Sequence, residues 1–542
     1  MKTTAAISTR EPRSRHAADA EGRTPAAALR SPAILYLASA ITLLAGLAAI
    51  FIWEPFGARQ WGFDFWEHAA ALKQLAINPW HPLHPQFDTH EASRSYTPEF
   101  LLLALVGRMF SLSPLGMLAL GSIFACALAF TGIWFFSREY FRNEWAPLAV
   151  LISLFFFWGK EWVWSSFYNL QSLAVTGGYP STFVFALAFT VWWFGLILLR
   201  RERIRAWHLF AVPILSALLF VSHQLSGMFA LGALFAFWAA EPGRGWRRRG
   251  ILFAASLAGL LISRWWPWFN PWYSATGSQV WNPMWAGLPD FYRPGAVLAL
   301  CGPALLGLAP LAWFVRKRIY GGLTLGFLAV TGVYIVGGIL NNPIAHRFLA
   351  FSILYLHLAC AWLLLALGGF FAREEAAAAG WRLGREGRRV LFAVCTLIVL
   401  GHLSFMTFEV IRVRTGAARR YVDVAGPMRA ISGHLAPRSI VLASPEICFA
   451  LPAFEGRVVT VYRPSPLVED DSARIRDSSL FFSEAASDDE RRAILSRYRV
   501  THILYRKDEL QPAVIQGLSR VGSQVAERSP LTLLRAAGIQ PR

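Results

Sequence analysis

The sequence predicts an all-α, polytopic membrane bundle of about 11 transmembrane helices, followed by a small C-terminal α/β domain. Three observations support this fold class. First, 55% of the 542 residues are hydrophobic and 16% are charged, whereas about 25% charged residues is usual in soluble domains. Second, the mean hydropathy is +0.41, and apolar runs recur that are long enough to cross a hydrocarbon core of about 30 Å. Third, Trp and Phe collect near the ends of these runs, as in an interfacial aromatic belt.

The predicted transmembrane part covers residues 32–410. Residues 1–31 are polar with scattered Arg, and we expect them to form a disordered cytoplasmic tail. The first span, Pro32–Trp53, lacks the small-residue cleavage site of a signal peptide. Apolar runs predict the further spans Leu115–Phe136, Trp145–Gly159, Tyr179–Leu199, Trp207–Val221, Leu225–Ala240, Ile251–Trp266, Gly295–Val315, Leu323–Leu340, Phe348–Phe371 and Val390–Phe408.

Residues 54–97 form a long amphipathic loop after the first span. Acids, histidines and several prolines alternate here with Trp and Phe, which predicts short helices at the membrane surface. The next segment, Pro98 to Leu112, is apolar but short and carries Arg108. We expect it to be a half-helix or surface helix, because a span here would place every later arginine cluster on the outer side.

The distribution of basic residues predicts the orientation. Alternate loops carry the arginine-rich sequences, and the loops between them carry few basic residues. The positive-inside rule therefore predicts a multi-pass protein of the cell inner (cytoplasmic) membrane, with a cytoplasmic N-terminus and an extracytoplasmic C-terminal domain. The same distribution explains the net charge of +19 without a nucleic-acid partner. The arginine-rich loops contain residues 138–142, 200–205, 244–249, 316–318 and 373–389.

Residues 411–542 predict the small α/β domain. The segments Ser439–Ala443, Arg457–Val461 and Thr501–Tyr505 are typical of short β-strands. Ser487 and Glu490 form a capping-box pattern before a predicted helix over 491–498. The chain has five Cys, four of them in apolar runs, which predicts neither a disulfide framework nor a zinc site.

The first outer loop holds the leading catalytic candidates. Asp64 lies three residues before Glu67 and four before His68, so all three share one face of a helix. An acidic cluster at the mouth of a helical bundle can hold a general base or a cation. The alternative is a solvated face of an amphipathic helix.

Other outer turns hold candidate binding residues. Arg347 opens an apolar helix beside His346 and two asparagines, which favours bidentate phosphate binding over an interfacial anchor. His223 interrupts an apolar stretch, and Glu161 lies in another outer loop; a structural role is the alternative for both. The predicted spans hold few ionisable groups, chiefly His357 and His402, which argues against an ion-coupled transporter without excluding it.

The order of these features resembles a known superfamily. Asp64 follows the first span, and Tyr96-Thr-Pro-Glu-Phe100, Leu112-Ser-Pro114, Ser137-Arg-Glu-Tyr-Phe141 and Gly178-Tyr-Pro180 follow in turn. This arrangement resembles the GT-C superfamily of integral membrane glycosyltransferases. It is most similar to bacterial transferases of the dolichyl-phosphate-mannose and aminoarabinose type, which use polyprenyl-phosphate sugars.

The resemblance implies a GT-C-like bundle and a site. It makes Asp64 the general base or acceptor-positioning group, Glu161 a second acid and Arg347 the contact to the donor phosphate. We therefore predict Asp64 and Glu67 as catalytic. Two residues separate these acids, which departs from the family's paired-acid pattern. We therefore predict no metal ligands and leave a divalent cation open as a cofactor. The predicted substrate-binding residues are His68, Glu161, His223, His346 and Arg347.

The implied function is transfer of a sugar from a polyprenyl-phosphate donor to a lipid, glycan or protein acceptor on the outer face of the cytoplasmic membrane. The expected partners are the polyprenyl-phosphate-linked sugar and membrane lipid. A lipid-linked glycan polymerase or ligase, a polytopic transporter or flippase, and a non-catalytic assembly protein are the alternatives.

Overall fold

The structure is a computed structural model of the chain. It describes residues 31–53, 56–60, 64–159, 167–241, 245–273, 289–342, 344–370, 383–416, 422–462, 465 and 467–538. The predicted cytoplasmic tail, apart from its last residue, and the candidate Glu161 lie outside these ranges.

Helices dominate the first three quarters of the chain. Their boundaries lie within a few residues of most predicted apolar runs, because the runs end where charged or helix-breaking residues begin. The helices of this part are α1 Pro32–Trp53, α2 Asp64–Ile77, α3 Pro98–Met109, α4 Pro114–Phe141, α5 Ala146–Phe156, α6 Leu170–Thr176, α7 Pro180–Arg200, α8 Ala206–Ser222, α9 Gln224–Ala240, α10 Trp246–Ile262, α11 Pro294–Cys301, α12 Leu308–Lys317, α13 Gly321–Ile339, α14 Phe348–Gly368 and α15 Arg385–Arg414.

Seven helical segments in the described ranges are long and apolar enough to cross a membrane, and α5, α8 and α9 are shorter apolar helices. The chain is therefore a multi-pass membrane protein by length and composition, while the count of 11 spans stays a prediction. Helix α3 has 12 residues and is about 18 Å long, which is too short to cross a core of about 30 Å.

The predicted span Gly295–Val315 lies within the apolar segment Pro294–Lys317, which is long enough to cross a membrane. The segment consists of α11, a 3-10 turn over Gly302–Gly307 and α12. Gly302 has φ +49°, and a Cβ there would lie 2.4 Å from the Cα of Gly159. The amide of Gly159 donates to the carbonyl of Leu300 at 3.0 Å. The helix breaks because it crosses the end of α5 at backbone contact, which only glycine allows.

Helix α14 forms the centre of the bundle, whereas α15 lies at its periphery. Within the most apolar 18-residue stretch of each segment, 89% of the residues are buried for α14 but only 6% for α15. The ring of Phe351 in α14 stacks on Phe229 of α9 with centroids 4.0 Å apart. Exposed side chains of α15 such as Val390, Phe392 and Leu397 are apolar, as expected of a surface that faces lipid.

The C-terminal part contains a five-stranded mixed sheet in the order β2-β1-β3-β5-β4. Strand β1 is parallel to β2 and β3, with Val441 opposite His502, and β5 is antiparallel to β3 and β4. The capping box at Ser487 and Glu490 is present. The sequence analysis missed the hairpin β4–β5. The elements are α16 Ala425–Ser432, β1 Ile440–Ala443, α17 Leu451–Phe454, β2 Arg457–Val458, α18 Asp471–Phe481, α19 Asp488–Arg497, β3 His502–Arg506, α20 Pro512–Val521, β4 Gly522–Arg528 and β5 Leu531–Ala536.

The C-terminal part packs directly on the outer-loop helix α2. The ring of Trp66 lies against Phe454 with centroids 5.4 Å apart, and Lys73 donates to the carbonyl of Phe454. The buried guanidinium of Arg457 donates to Gln74 and to the carbonyls of His84 and Pro85. Helix α2 is therefore enclosed by protein, and not only laid on a membrane surface as predicted.

Candidate active site

Asp64 is the first residue of α2. Its helix, DFWEHAAALKQLAI, is rich in Ala and Leu, which favour helix. Asp64 and Glu67 both lie in the first turn, where the helix dipole stabilises carboxylates. Trp66 is fully buried, and its indole N–H donates to the carbonyl of Gln60 at 2.7 Å. The buried side chain of Trp66 therefore anchors the first turn of α2, and with it the position of Asp64.

Five charged or titratable side chains from four segments influence one another electrostatically at this end of the bundle. His68 interacts electrostatically with Asp64 and Arg94. His223 interacts with the same two residues, with His68 and with Arg347, and Arg347 interacts with Asp64 and Arg94. The structure thus brings together four of the predicted site residues. One carboxylate, two guanidiniums and two imidazoles form the cluster.

His68 is neutral at physiological pH. Burial lowers the pKa of His68 to about 4; the negative charge of Asp64 opposes this shift and the positive charge of Arg94 adds to it. The ring contacts Phe100 and Tyr179 edge-on, with centroids 5.3 and 4.6 Å away. A neutral imidazole can exchange hydrogen bonds with a sugar or acceptor hydroxyl without adding charge.

His223 combines a structural role with a place in the cluster. It ends α8 and begins α9, and its Nδ1 accepts the amide N–H of Ser226 at 3.2 Å. In a neutral ring, this bond leaves the proton on Nε2. Burial first, and then the charges of Arg347 and Arg94, lower the pKa of His223 to about 3. His223 therefore offers a neutral N–H donor beside Arg347.

Arg347 is positioned by the turn before α14. The side-chain oxygen of Asn342 accepts the amides of Ile344 and Ala345 at 2.9 and 3.2 Å, and so caps the 3-10 turn Ala345–Arg347. The asparagine near Arg347 thus shapes the backbone. His346 is buried, and its ring stacks on Phe291 with centroids 5.4 Å apart. His346 shares the turn with Arg347, but this face of its ring is used in packing.

Glu67 is buried and accepts the hydroxyl of Ser95 at 2.8 Å. This bond joins α2 to the segment that carries Arg94, whose side chain is exposed. The sequence analysis did not select Arg94 as a site residue. The available signal was its position, because it is one of few basic residues in the outer loops. In the structure, Glu67 positions the neighbour of Arg94.

Glu99, in the first turn of α3, was also not selected. It is 7% exposed. Burial raises the pKa of its carboxyl to about 7, although interactions with Ser222 and Thr97 oppose the rise. Ser222 directly precedes His223. Glu99 therefore places a second carboxyl group, close to half-protonated at neutral pH, behind the cluster. The signal in the sequence was an acid in the first turn of an apolar helix.

The described part of the Asp64 cluster holds more positive than negative charge. Among the residues that the structure describes, no three His, Cys, Asp or Glu side chains are grouped to hold a metal ion. Asp64 instead shares its surroundings with the positive charges of Arg94 and Arg347. Two guanidiniums near one carboxylate favour an anionic ligand over a further cation.

Comparisons with known proteins identify the fold. No protein-family model and no curated protein sequence matches the chain. Among solved structures, the arabinofuranosyltransferase AftD from Mycobacteria is similar, with a TM-score of 0.53 and 16% identity over 93% of this chain and 40% of that one. ArnT from Cupriavidus metallidurans bound to undecaprenyl phosphate has a TM-score of 0.52 and 14% identity, over 94% of this chain and 99% of that one.

The chain spans less than half of the AftD length but nearly all of ArnT. Similarity at these identities concerns the fold, and it includes the bundle and the C-terminal part, because more than nine tenths of the chain is covered. The chain therefore shares its fold with AftD and ArnT, in agreement with the fold that the sequence resemblance implied.

Proposed function

We propose that the protein is a membrane glycosyltransferase that moves a sugar from a polyprenyl-phosphate donor to an acceptor hydroxyl or amine. The observation that carries the proposal is the cluster itself. It places a carboxylate, Asp64, within electrostatic reach of the guanidinium of Arg347, and Arg94 within reach of Arg347 and His68. Transfer from a phosphate-linked sugar needs both a base for the acceptor and a cation for the leaving phosphate.

The reaction follows from the charges. Asp64 takes the proton of the acceptor as the acceptor oxygen or nitrogen forms a bond to the anomeric carbon. The bond between that carbon and the phosphate oxygen breaks, and its electron pair leaves with the polyprenyl phosphate. Arg347 and Arg94 stabilise the negative charge that develops there. His68 and His223, both neutral, orient hydroxyl groups.

The two ends of the bundle differ in a way that supports an outer site. Helices α4, α7 and α9 begin at the Asp64 end and finish at Phe141, Arg200 and Ala240, where the arginine-rich loops lie. The positive-inside rule assigns that basic end to the cytoplasm. The cluster then faces the extracytoplasmic side, where the lipid, glycan or protein acceptor would be met. The undecaprenyl phosphate bound to ArnT supports a donor of this class.

The decisive test is transfer by the purified protein. It would be incubated with radiolabelled polyprenyl-phosphate sugars and membrane extract, and the products separated from the intact donor. We expect the wild-type protein to release polyprenyl phosphate and label an acceptor. Arg347→Ala should reduce transfer by roughly 100-fold. Arg347→Lys should recover only part of it, because Lys lacks the planar fork.

Arg492→Ala is the matched control, because Arg492 is exposed on α19 and pairs with Asp489. If the donor instead crosses the membrane of reconstituted vesicles without being cleaved, the protein is a flippase and not a transferase. Unchanged transfer by Arg347→Ala would remove Arg347 from the site.

A further inference from the structure

A cavity lies at the basic end of the bundle, opposite the Asp64 cluster. Its volume is about 910 Å³. The ends of α4, α7 and α9 form one side, and α12, the start of α13 and Trp362 of α14 form the other. The cavity shares no lining residue with the candidate active site.

The walls of this cavity are apolar and aromatic. The ring of Tyr320 packs against Phe141 and Phe314 with centroids 5.5 and 5.1 Å apart. On the outer wall, Val315, Leu325 and Leu328 are 59%, 46% and 59% exposed. These three side chains lie on helices that the bilayer would surround, so the cavity opens sideways towards lipid chains.

The rim of the cavity is cationic. Arg200 lines the cavity but is already paired with Glu139 at 2.5 Å and Glu241 at 2.7 Å. Arg142, Lys317 and Arg318 are exposed and also line the cavity. The ammonium of Lys317 lies 4.7 Å from the ring centre of Trp313. Charged heads above an apolar wall fit an amphiphile with an anionic head.

The backbone conformation of two rim residues also supports a binding site. Arg142 has φ +48° and Arg318 has φ +56°, and each is the left-handed residue that ends its helix. Helices usually end with glycine in this conformation, because a Cβ is disfavoured there. Two arginines occupy the strained positions instead, and both line the same cavity.

We propose that this cavity binds an anionic phosphate-bearing lipid of the cytoplasmic leaflet. Arg142, Lys317 and Arg318 hold the phosphate, with the two arginines able to bind in bidentate fashion. The acyl or prenyl chain lies along Val315, Leu325 and Leu328. The site is separate from the transferase site and stands whether or not the proposed function is right. A glycerophospholipid and a polyprenyl phosphate share the required chemistry.

The test uses the full-length protein in a neutral detergent and native mass spectrometry. Phosphatidylglycerol, phosphatidylcholine and a polyprenyl phosphate are titrated separately. The variant is Arg142→Gly with Arg318→Gly, which removes both charges while supplying the residue that the backbone prefers. We therefore expect its melting temperature in neutral detergent to stay unchanged or rise. The control is Arg316→Gln, because Arg316 is exposed beside the rim but does not line the cavity.

We expect wild type and control to bind an anionic lipid more tightly than phosphatidylcholine, and the double variant to lose roughly tenfold or more of that affinity. A loss confined to phosphatidylglycerol identifies a glycerophospholipid, and a loss confined to the polyprenyl phosphate identifies that lipid. Equal binding by wild type and double variant, or an equal loss in Arg316→Gln, would overturn the proposal.

Discussion

The imidazole ring of His68 packs edge-on against the phenol ring of Tyr179, with centroids 4.6 Å apart and planes at 78°. Tyr179 directly precedes α7, so this contact fastens α2 to the bundle one helical turn after Asp64. An aromatic contact of this geometry contributes about 0.5–1.5 kcal/mol. Bundle and C-terminal part therefore hold opposite sides of the helix that presents Asp64.

Asp64→Asn keeps the size of the side chain and removes the base. We expect transfer from a polyprenyl-phosphate sugar to fall by roughly 100-fold or more, with little change in melting temperature. Glu67→Gln should reduce transfer less, because Glu67 accepts a hydrogen bond from Ser95 and the amide oxygen of Gln can accept the same bond. The control is Asp489→Asn on the exposed face of α19. If Glu67→Gln loses most of the transfer activity while Asp64→Asn keeps it, Glu67 and not Asp64 is the general base.

Glu99 should make stability depend on pH. Burial raises its pKa in the folded protein from 4.5 to about 7, so folding favours the protonated carboxyl. The stabilisation is complete below pH 4.5 and is lost as the pH rises through about 7. We expect the melting temperature of wild type to fall relative to that of Glu99→Gln over this window. Glu484→Gln, at an exposed position, should track wild type; parallel curves for wild type and Glu99→Gln would contradict the prediction.

Arg457 should couple the C-terminal part to the outer loop. Arg457→Ala leaves the carbonyls of His84 and Pro85 and the side chain of Gln74 without this donor. We expect a loss of about 2–4 kcal/mol in the free energy of unfolding, measured by denaturant titration. Cleavage of residues 78–97 by protease should also become faster. Arg492→Ala serves as the exposed control, and an equal effect there would show that the contact is not specific.

The membrane orientation can be measured with thiol reagents. Cys448 is fully buried, so an impermeant maleimide should not label the native C-terminal part through it. Asp489→Cys should react in intact cells if that part is extracytoplasmic, because Asp489 is 93% exposed. Arg203→Cys at the basic end should react only after lysis. The opposite labelling pattern would reverse the assignment of the two ends.

Much of the fold was predictable because apolar runs and charge alternation are local signals. The same local signals selected Asp64, His68, His223 and Arg347 as candidates, since each interrupts or borders such a run. Arg94 and Glu99 were missed because a loop arginine and a first-turn acid look like ordinary surface residues until tertiary packing encloses them. The hairpin β4–β5 was missed because the sequence of β4, GSQVAER, alternates weakly and four of its seven residues are exposed.

Contacts of high sequence separation were beyond the reach of any pattern. Lys73 bonds to a residue 381 positions later, and Gln74 to one 383 positions later. Nothing in the local sequence of α2 specifies these partners, although they decide whether the helix lies on lipid or inside protein.

These two contacts can form only late in synthesis, because their partners are far apart in the chain. Residues 73 and 74 leave the ribosome long before residues 454 and 457, so one side of α2 stays uncovered while the intervening bundle is inserted. The burial of α2 is completed only when the C-terminal part has been translated and has docked. We therefore expect the nascent chain to gain its working site late, and truncation within residues 440–460 to leave an inserted but inactive bundle.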